Sequence, residues 1–250
     1  AGIPIRAKDR TELTPIIVGG GPCVCNPEPM ADFFDIFSLG DGEEVSDELF
    51  NLLIECKKNG STKAEFLQKA SQIKGVYVPS LYDVEYNEDC TVKSVTANQG
   101  APEKVTKRVV ADLDKVHYPD KFIVPFVEVV HDRVVHEIFR GCTRGCRFCQ
   151  AGYIYRPVRE RKPETLTCLA GKLLDSSGYD EISLISLSIS DYTELETLTT
   201  SLLEWTDENM VSLSLPSLRV DSFTKELMDK IATVRSSSLT FAPEAGTQRL

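Results

Sequence analysis

Arg140-Gly141-Cys142-Thr143-Arg144-Gly145-Cys146-Arg147-Phe148-Cys149 is a Cys-x-x-x-Cys-x-x-Cys run with an aromatic residue directly before its last cysteine. Three thiolates on one short loop can hold three irons of a [4Fe–4S] cluster and leave the fourth iron open to a small molecule. An open coordination position separates a chemical metal site from a structural one. A zinc ribbon asks for four ligands, usually as two Cys-x-x-Cys pairs. The nearest spare thiol, Cys168, lies 19 residues beyond Cys149 inside a helical pattern, so it is a poor fourth ligand. Disulfides are disfavoured as well, because 8 cysteines are scattered through 250 residues and no secretory signal is visible at the start.

Outward from this run, strands and helices alternate. Val134 to Phe139 reads as a strand leading straight into the cysteine loop. Pro163 to Asp175 follows as a helix with Pro at its start and Leu166, Leu169, Ala170, Leu173 and Leu174 on one face. Then come a strand from Ile182 to Leu187, a helix from Thr193 to about Trp205, a strand from Val211 to Leu215, a helix capped by Ser222, and a fourth strand from Leu239 to Phe241. Such alternation implies a parallel sheet with right-handed crossovers, here an incomplete barrel. In parallel α/β folds ligands gather at the carboxyl ends of strands. The second strand ends in Ser188-Ile189-Ser190-Asp191, where Ser190 or Asp191 doubles as a candidate helix cap. The third ends at Arg219, and the fourth at Ala242-Pro243-Glu244-Ala245-Gly246.

The N-terminal part also reads as α/β. Pro15 to Val18 is a strand ending in Gly19-Gly20-Gly21, and Phe33 to Leu39 is a second, closed by Gly40-Asp41-Gly42-Glu43-Glu44. A helix carries Leu49, Leu52, Leu53 and Cys56 on one face, which makes Cys56 a core thiol. Thr62-Lys63-Ala64-Glu65 is a capping box opening a further helix, with Gly75 as its expected stop. From Val76 to Asp132 the helical period disappears, and short β-like pieces (76–78, 92–95, 122–130) alternate with Asn, Gly and Pro. The organisation expected is residues 1–75 as one domain, 76–132 as a connector and 133–250 as the first part of a second domain. Cys90 and His117 receive no function. The chain starts without Met and stops where a helix should begin, which reads as truncation at both ends, after the fourth barrel strand.

Composition is that of a soluble globular protein, with 42% apolar and 26% charged residues and no apolar run of membrane-spanning length. A cytoplasmic location is expected. The net charge of −10 argues against a surface that coats nucleic acid. Between Arg140 and Lys162, however, seven basic residues face one acid, so this segment is +6 while the remainder is −16. Guanidinium groups there would offset the negative charge of a thiolate-bound cluster; a solvated basic loop or a phosphate-bearing substrate accounts for them equally.

The cysteine run, with Arg-Gly before its first cysteine and Phe148 before its third, resembles the signature of the radical S-adenosylmethionine (SAM) superfamily. From about Val134 onward the chain looks like the first two-thirds of the partial barrel of that superfamily. The resemblance implies a [4Fe–4S] cluster on Cys142, Cys146 and Cys149, with SAM on the open iron cleaved reductively to a 5′-deoxyadenosyl radical. It implies Phe148 beside the adenine, SAM contacts at Ser188 and Ser190, and polar SAM contacts at Arg219 and Glu244. The family usually carries a Gly-Gly-Glu run at the strand end occupied here by Ser188 to Ser190, and this sequence lacks it. Arg219 is also suited to a surface pair with Asp221 or Glu226.

The glycine turns are similar to the last third of a cobalamin-binding Rossmann-like domain, with Gly19, Gly20, Gly21, Gly40 and Gly42 near the cofactor. Cys25-Asn26-Pro27-Glu28-Pro29, Gly40 to Glu44 and Arg140 through Arg161 together resemble one uncharacterised cobalamin-domain-containing radical SAM family. Such a protein takes cobalamin as second cofactor for methyl transfer or rearrangement, and electrons from a donor such as flavodoxin or ferredoxin. The alternatives are a cobalamin-free RNA-modifying enzyme of methylthiotransferase type and a non-catalytic Fe–S electron-transfer or sensor protein.

Overall fold

The computed structural model describes residues 2–127, 129–216, 218, 246, 247 and 249. The chain divides into two units, Ala1–Val110 and Ala111–Leu250.

In the first unit, β1 (Val18–Gly19) pairs parallel with β2 (Ile36–Ser38). After β2 the chain turns into α1 (Glu43–Asn59), which ends on Gly60 in the left-handed conformation. The capping box then forms as its residues predict: the Thr62 side chain accepts from the Glu65 amide, while Glu65 accepts from the Thr62 amide at 2.7 Å, opening α2 (Lys63–Ala70). Both helices lay their apolar faces on β2 and β3 (Val76–Tyr77), around Ile36, Val45, Cys56, Phe66, Ala70 and Val76. Cys56 is a buried core thiol. A buried Asp35 ties this layer together, accepting from Arg10 Nε at 3.0 Å, Lys63 Nζ at 2.7 Å and the Ile17 amide at 2.8 Å.

The residues expected to form one connector instead divide between the units. β3 pairs antiparallel with β2, and β4 (Tyr82–Tyr86) and β5 (Val92–Ala97) form a hairpin of the first unit. Gly75 does not stop α2, which ends at Ala70 with Ser71 as its cap. Gly75 sits at φ +92°, where an added Cβ would lie 2.9 Å from the Leu39 carbonyl oxygen, so it is a close-approach glycine. No strand forms among the described residues of 122–130, where Pro125 removes a ladder donor.

In the second unit, β6 (Val134–Glu137) leads through β7 (Phe139–Arg140) into the cysteine loop and the short α3 (Ala151–Ile154). The chain returns as β8 (Arg159–Glu160), antiparallel to β7, and enters α4 (Pro163–Ser177). Next come β9 (Glu181–Ile185), α5 (Leu195–Asn209) and β10 (Ser212–Ser214). The sheet order is β10-β9-β6, all parallel, as the alternation of sequence patterns requires. Val134, Ile182, Leu184, Leu166, Leu173 and Leu198 form the core between this sheet and α4 and α5. The helix at Ser222 and the strand from Leu239 to Phe241 lie outside the described residues. No described helix is long and apolar enough to cross a membrane.

His136 belongs to that core. Its Nε2 lies 3.1 Å from the Leu166 carbonyl oxygen, Tyr118 packs edge-on at 5.6 Å, and burial lowers its pKa to about 4. The unfolded chain, with histidine near its ordinary value, binds a proton that the folded chain does not between those two values. Stability therefore falls as pH drops through the ordinary histidine range. Acidification from pH 7 to 5 should remove ~2 kcal/mol from the unfolding free energy of the second unit. Denaturant titrations at the two pH values check this, with His136→Gln losing most of the difference.

Candidate functional site

The cysteine loop starts from Gly141, and the sequence there leaves no choice of residue. Gly141 has φ +102°, and an added Cβ would meet the Pro157 carbonyl oxygen at 2.7 Å and Val158 Cα at 2.8 Å. A side chain would push the loop away from the chain returning into β8 at Pro157 and Val158. At its far end the loop closes in a turn in which the Cys149 amide donates to the Cys146 carbonyl at 3.0 Å. Cys142, Cys146 and Cys149 are all half-buried free thiols. Among the described residues no three His, Cys, Asp or Glu side chains converge on a single-ion site. A cluster asks for less convergence than one ion, because each thiolate binds its own iron. Three reachable soft donors on one glycine-hinged loop fit that donor set.

The surrounding charges are ordered rather than merely basic. Arg144 makes a two-pronged contact with the Asp191 carboxylate, with Nε at 2.9 and 3.1 Å from its two oxygens. Arg140 Nε donates to Glu137 at 2.9 Å. Arg161 is the unexpected member of the island. It is only 2% exposed, lies over the Tyr118 ring at 4.8 Å, approaches Glu137 at 3.9 Å and donates to the Leu113 carbonyl oxygen. Burial works against its charge, and Glu137 works for it. Arg161 is thus a core anchor holding the start of the unit against β6, a role no local sequence signal announces.

Phe148, the residue expected beside an adenine, is 72% exposed, so its ring is open to stacking. Ser188 lies at the carboxyl end of β9 as expected, and its Oγ is buried without a hydrogen-bond partner among the described residues. The Ser186 Oγ shares that condition, a residue the sequence reading passed over. Two orphaned hydroxyls at one strand end are costly unless something else meets them. Ser190 and Asp191 do not cap α5; residues 189–191 form a separate turn, and Asp191 is engaged by Arg144. Arg219 and Glu244 lie outside the described residues.

In the first unit, the glycine turns separate into two kinds. Gly20 and Gly21 have open space where a Cβ would stand, with Gly21 at φ +92°. Gly19, by contrast, packs on Phe37, whose ring would lie 2.8 Å from an added Cβ. Gly40 at φ +100° is filled by the chain itself, since its Cβ would sit 2.0 Å from the Arg108 carbonyl oxygen. Around it the Arg108 amide donates to Leu39 at 2.7 Å, the Asp41 amide to Arg108 at 3.0 Å, and the Val110 amide to the Asp41 carboxylate at 2.7 Å. The Arg108 side chain then spans Glu44 at 2.7 Å and Glu48 at 2.6 Å on α1. Gly42 precedes α1 as its cap residue with no side chain to contribute. Gly19 and Gly40 are therefore accounted for by the packing of the protein on itself, while Gly20 and Gly21 are exposed and face open space.

Residues 136–250 match the family model described as the radical SAM superfamily, and residues 1–79 match that of radical SAM proteins, N-terminal. The chain carries a radical SAM domain. A curated relative, the uncharacterized protein MJ0966 of Methanocaldococcus jannaschii, is 31% identical over 238 residues. The alignment covers 94% of this chain and 44% of that protein, so the chain spans less than half the length of this relative. Among solved structures, the chain shares its fold with the radical SAM methyltransferase TsrM from Kitasatospora setae, determined with cobalamin and a [4Fe–4S] cluster bound. The TM-score is 0.50 at 13% identity, covering 87% of this chain and 40% of that one.

Proposed function

We propose that this chain is part of a radical SAM enzyme whose [4Fe–4S] cluster is held by Cys142, Cys146 and Cys149. The observation that carries the reading is the half-buried three-thiol loop hinged on Gly141 at the carboxyl end of β7, inside a domain of the superfamily. The cluster, when bound with SAM, supplies the electron that cleaves the sulfonium. The residues of the chain do the rest. The thiolates hold three irons, Phe148 offers a face to the adenine, and the Ser186 and Ser188 hydroxyls wait at the β9 end for polar groups of SAM. Arg219 and Glu244 complete the expected SAM contacts, with Arg219 suited to pair its carboxylate.

Cobalamin is the second cofactor we propose. Support comes from the exposed Gly20-Gly21 turn after β1, where backbone is open to approach, and from the fold shared with a protein that binds it. Methyl transfer or rearrangement follows from that pairing, with flavodoxin or ferredoxin as electron donor. The test is the full-length protein, purified anaerobically and reduced with dithionite. It should turn over SAM to 5′-deoxyadenosine or a methylated product and copurify with corrinoid. Absence of any SAM turnover from cluster-loaded protein would return it to an electron-transfer or sensing role. SAM turnover without corrinoid would remove cobalamin alone.

A further inference from the structure

Asp191 stands on a rigid post. Ile189 and Tyr192 on either side of it are buried in the core, and Tyr192 donates to the Arg161 carbonyl oxygen at 2.7 Å and stacks on Phe139 at 6.3 Å. The Asp191 amide closes its own turn on the Ser188 carbonyl at 2.9 Å. From this post the carboxylate reaches Arg144, which lies between the first two cysteines. An exposed ion pair is worth ~0–1 kcal/mol. This pair is shielded on one side only: the Arg144 side chain is 46% exposed, but Asp191 is 11% exposed and the guanidinium meets it with two nitrogens. Paired, planar contacts of that kind fix orientation as well as charge.

We propose that Asp191 is a positioning residue for the cluster, acting through Arg144 to clasp the cysteine loop at mid-span. Gly141 fixes where the loop begins, and the Cys146–Cys149 turn fixes its end. Between those points Arg144 ties the loop to the β9 strand end, the same end that carries the Ser186 and Ser188 hydroxyls, which have no hydrogen-bond partner among the described residues. The clasp therefore sets the distance between the thiolates and the place where SAM is read. Arg144 contributes stiffness to the loop, since its charge is already met by Asp191. This inference rests on the cluster reading above.

The test compares wild type, Asp191→Asn and Arg144→Gln in the full-length protein. After anaerobic reconstitution, iron release to bathophenanthroline should be roughly 10-fold faster in both variants, the loss expected for a charge-assisted bidentate pair. Without iron, amide hydrogen exchange over residues 142–149 should accelerate by a similar factor, while the thermal midpoint of the chain stays unchanged. The exchanged pair Arg144→Asp with Asp191→Arg should recover part of both effects. Wild-type release and exchange rates in the two single variants would overturn the clasp, as would a fall in thermal midpoint that accounts for both. Should wild type itself take up no cluster, the cluster reading fails, and exchange on the iron-free chain still decides whether Asp191 holds the loop.

Discussion

Replacing Cys142, Cys146 or Cys149 singly by alanine should abolish the cluster, whereas Cys168→Ala should leave it intact. On the proposed assignment each of the three thiolates would serve a different iron, so none could stand in for another. Cys168 lies exposed on α4, a helix that packs its other face into the core. Wild type should bind about four irons and four sulfides per chain after anaerobic reconstitution, with the charge-transfer absorption of such clusters. The three variants should fall to background in iron, sulfide and absorption together. A Cys142→Ala protein that kept the full signal would break the ligand assignment at its first member.

Gly40→Ala should destabilise the first unit by ~3 kcal/mol, from a left-handed backbone imposed on alanine together with displaced hydrogen bonds. The direction is fixed by two observations at one residue. Its φ is +100°, and the new Cβ would lie 2.0 Å from a backbone oxygen that cannot swing aside as a side chain can. Gly20→Ala is the control, because nothing lies within 4 Å of its added Cβ. Urea unfolding of the two variants should show a clear fall in midpoint for the first and little change for the second. Equal midpoints would mean that the 105–110 segment does not bear on the Gly40 turn in solution.

Much of this molecule is legible from local pattern. The capping box at Thr62, the proline-opened α4 and the parallel strands that alternate with helices all follow from short-range spacing that the backbone cannot ignore. The cysteine loop is likewise a local word. What sequence could not yield are the long-range pairings. Arg144 meets a carboxylate 47 residues away, and Arg108 meets Glu44 across 64. Neither partner is marked by any period. Glycine was the least decipherable letter: the same residue type admits the returning chain at Gly40, faces open space at Gly20 and turns the cysteine loop at Gly141. Only the neighbours in space tell these apart. Gly75 misled for the same reason, since a glycine shortly after a helix reads as its stop when no one knows that Arg108 passes beside it.

The segment carrying Arg108 also bears on how the molecule should be dissected. The N-terminal family match ends at residue 79, and an excision there would seem natural. It would remove Arg108 and leave Glu44 and Glu48, one helical turn apart, as unrelieved like charges. It would also strip the Leu39 to Asp41 backbone of its hydrogen-bonding neighbour. A piece meant to report on the first unit by itself needs the chain through Val110, so that the module seen in sequence families is shorter than the module that physics can hold together.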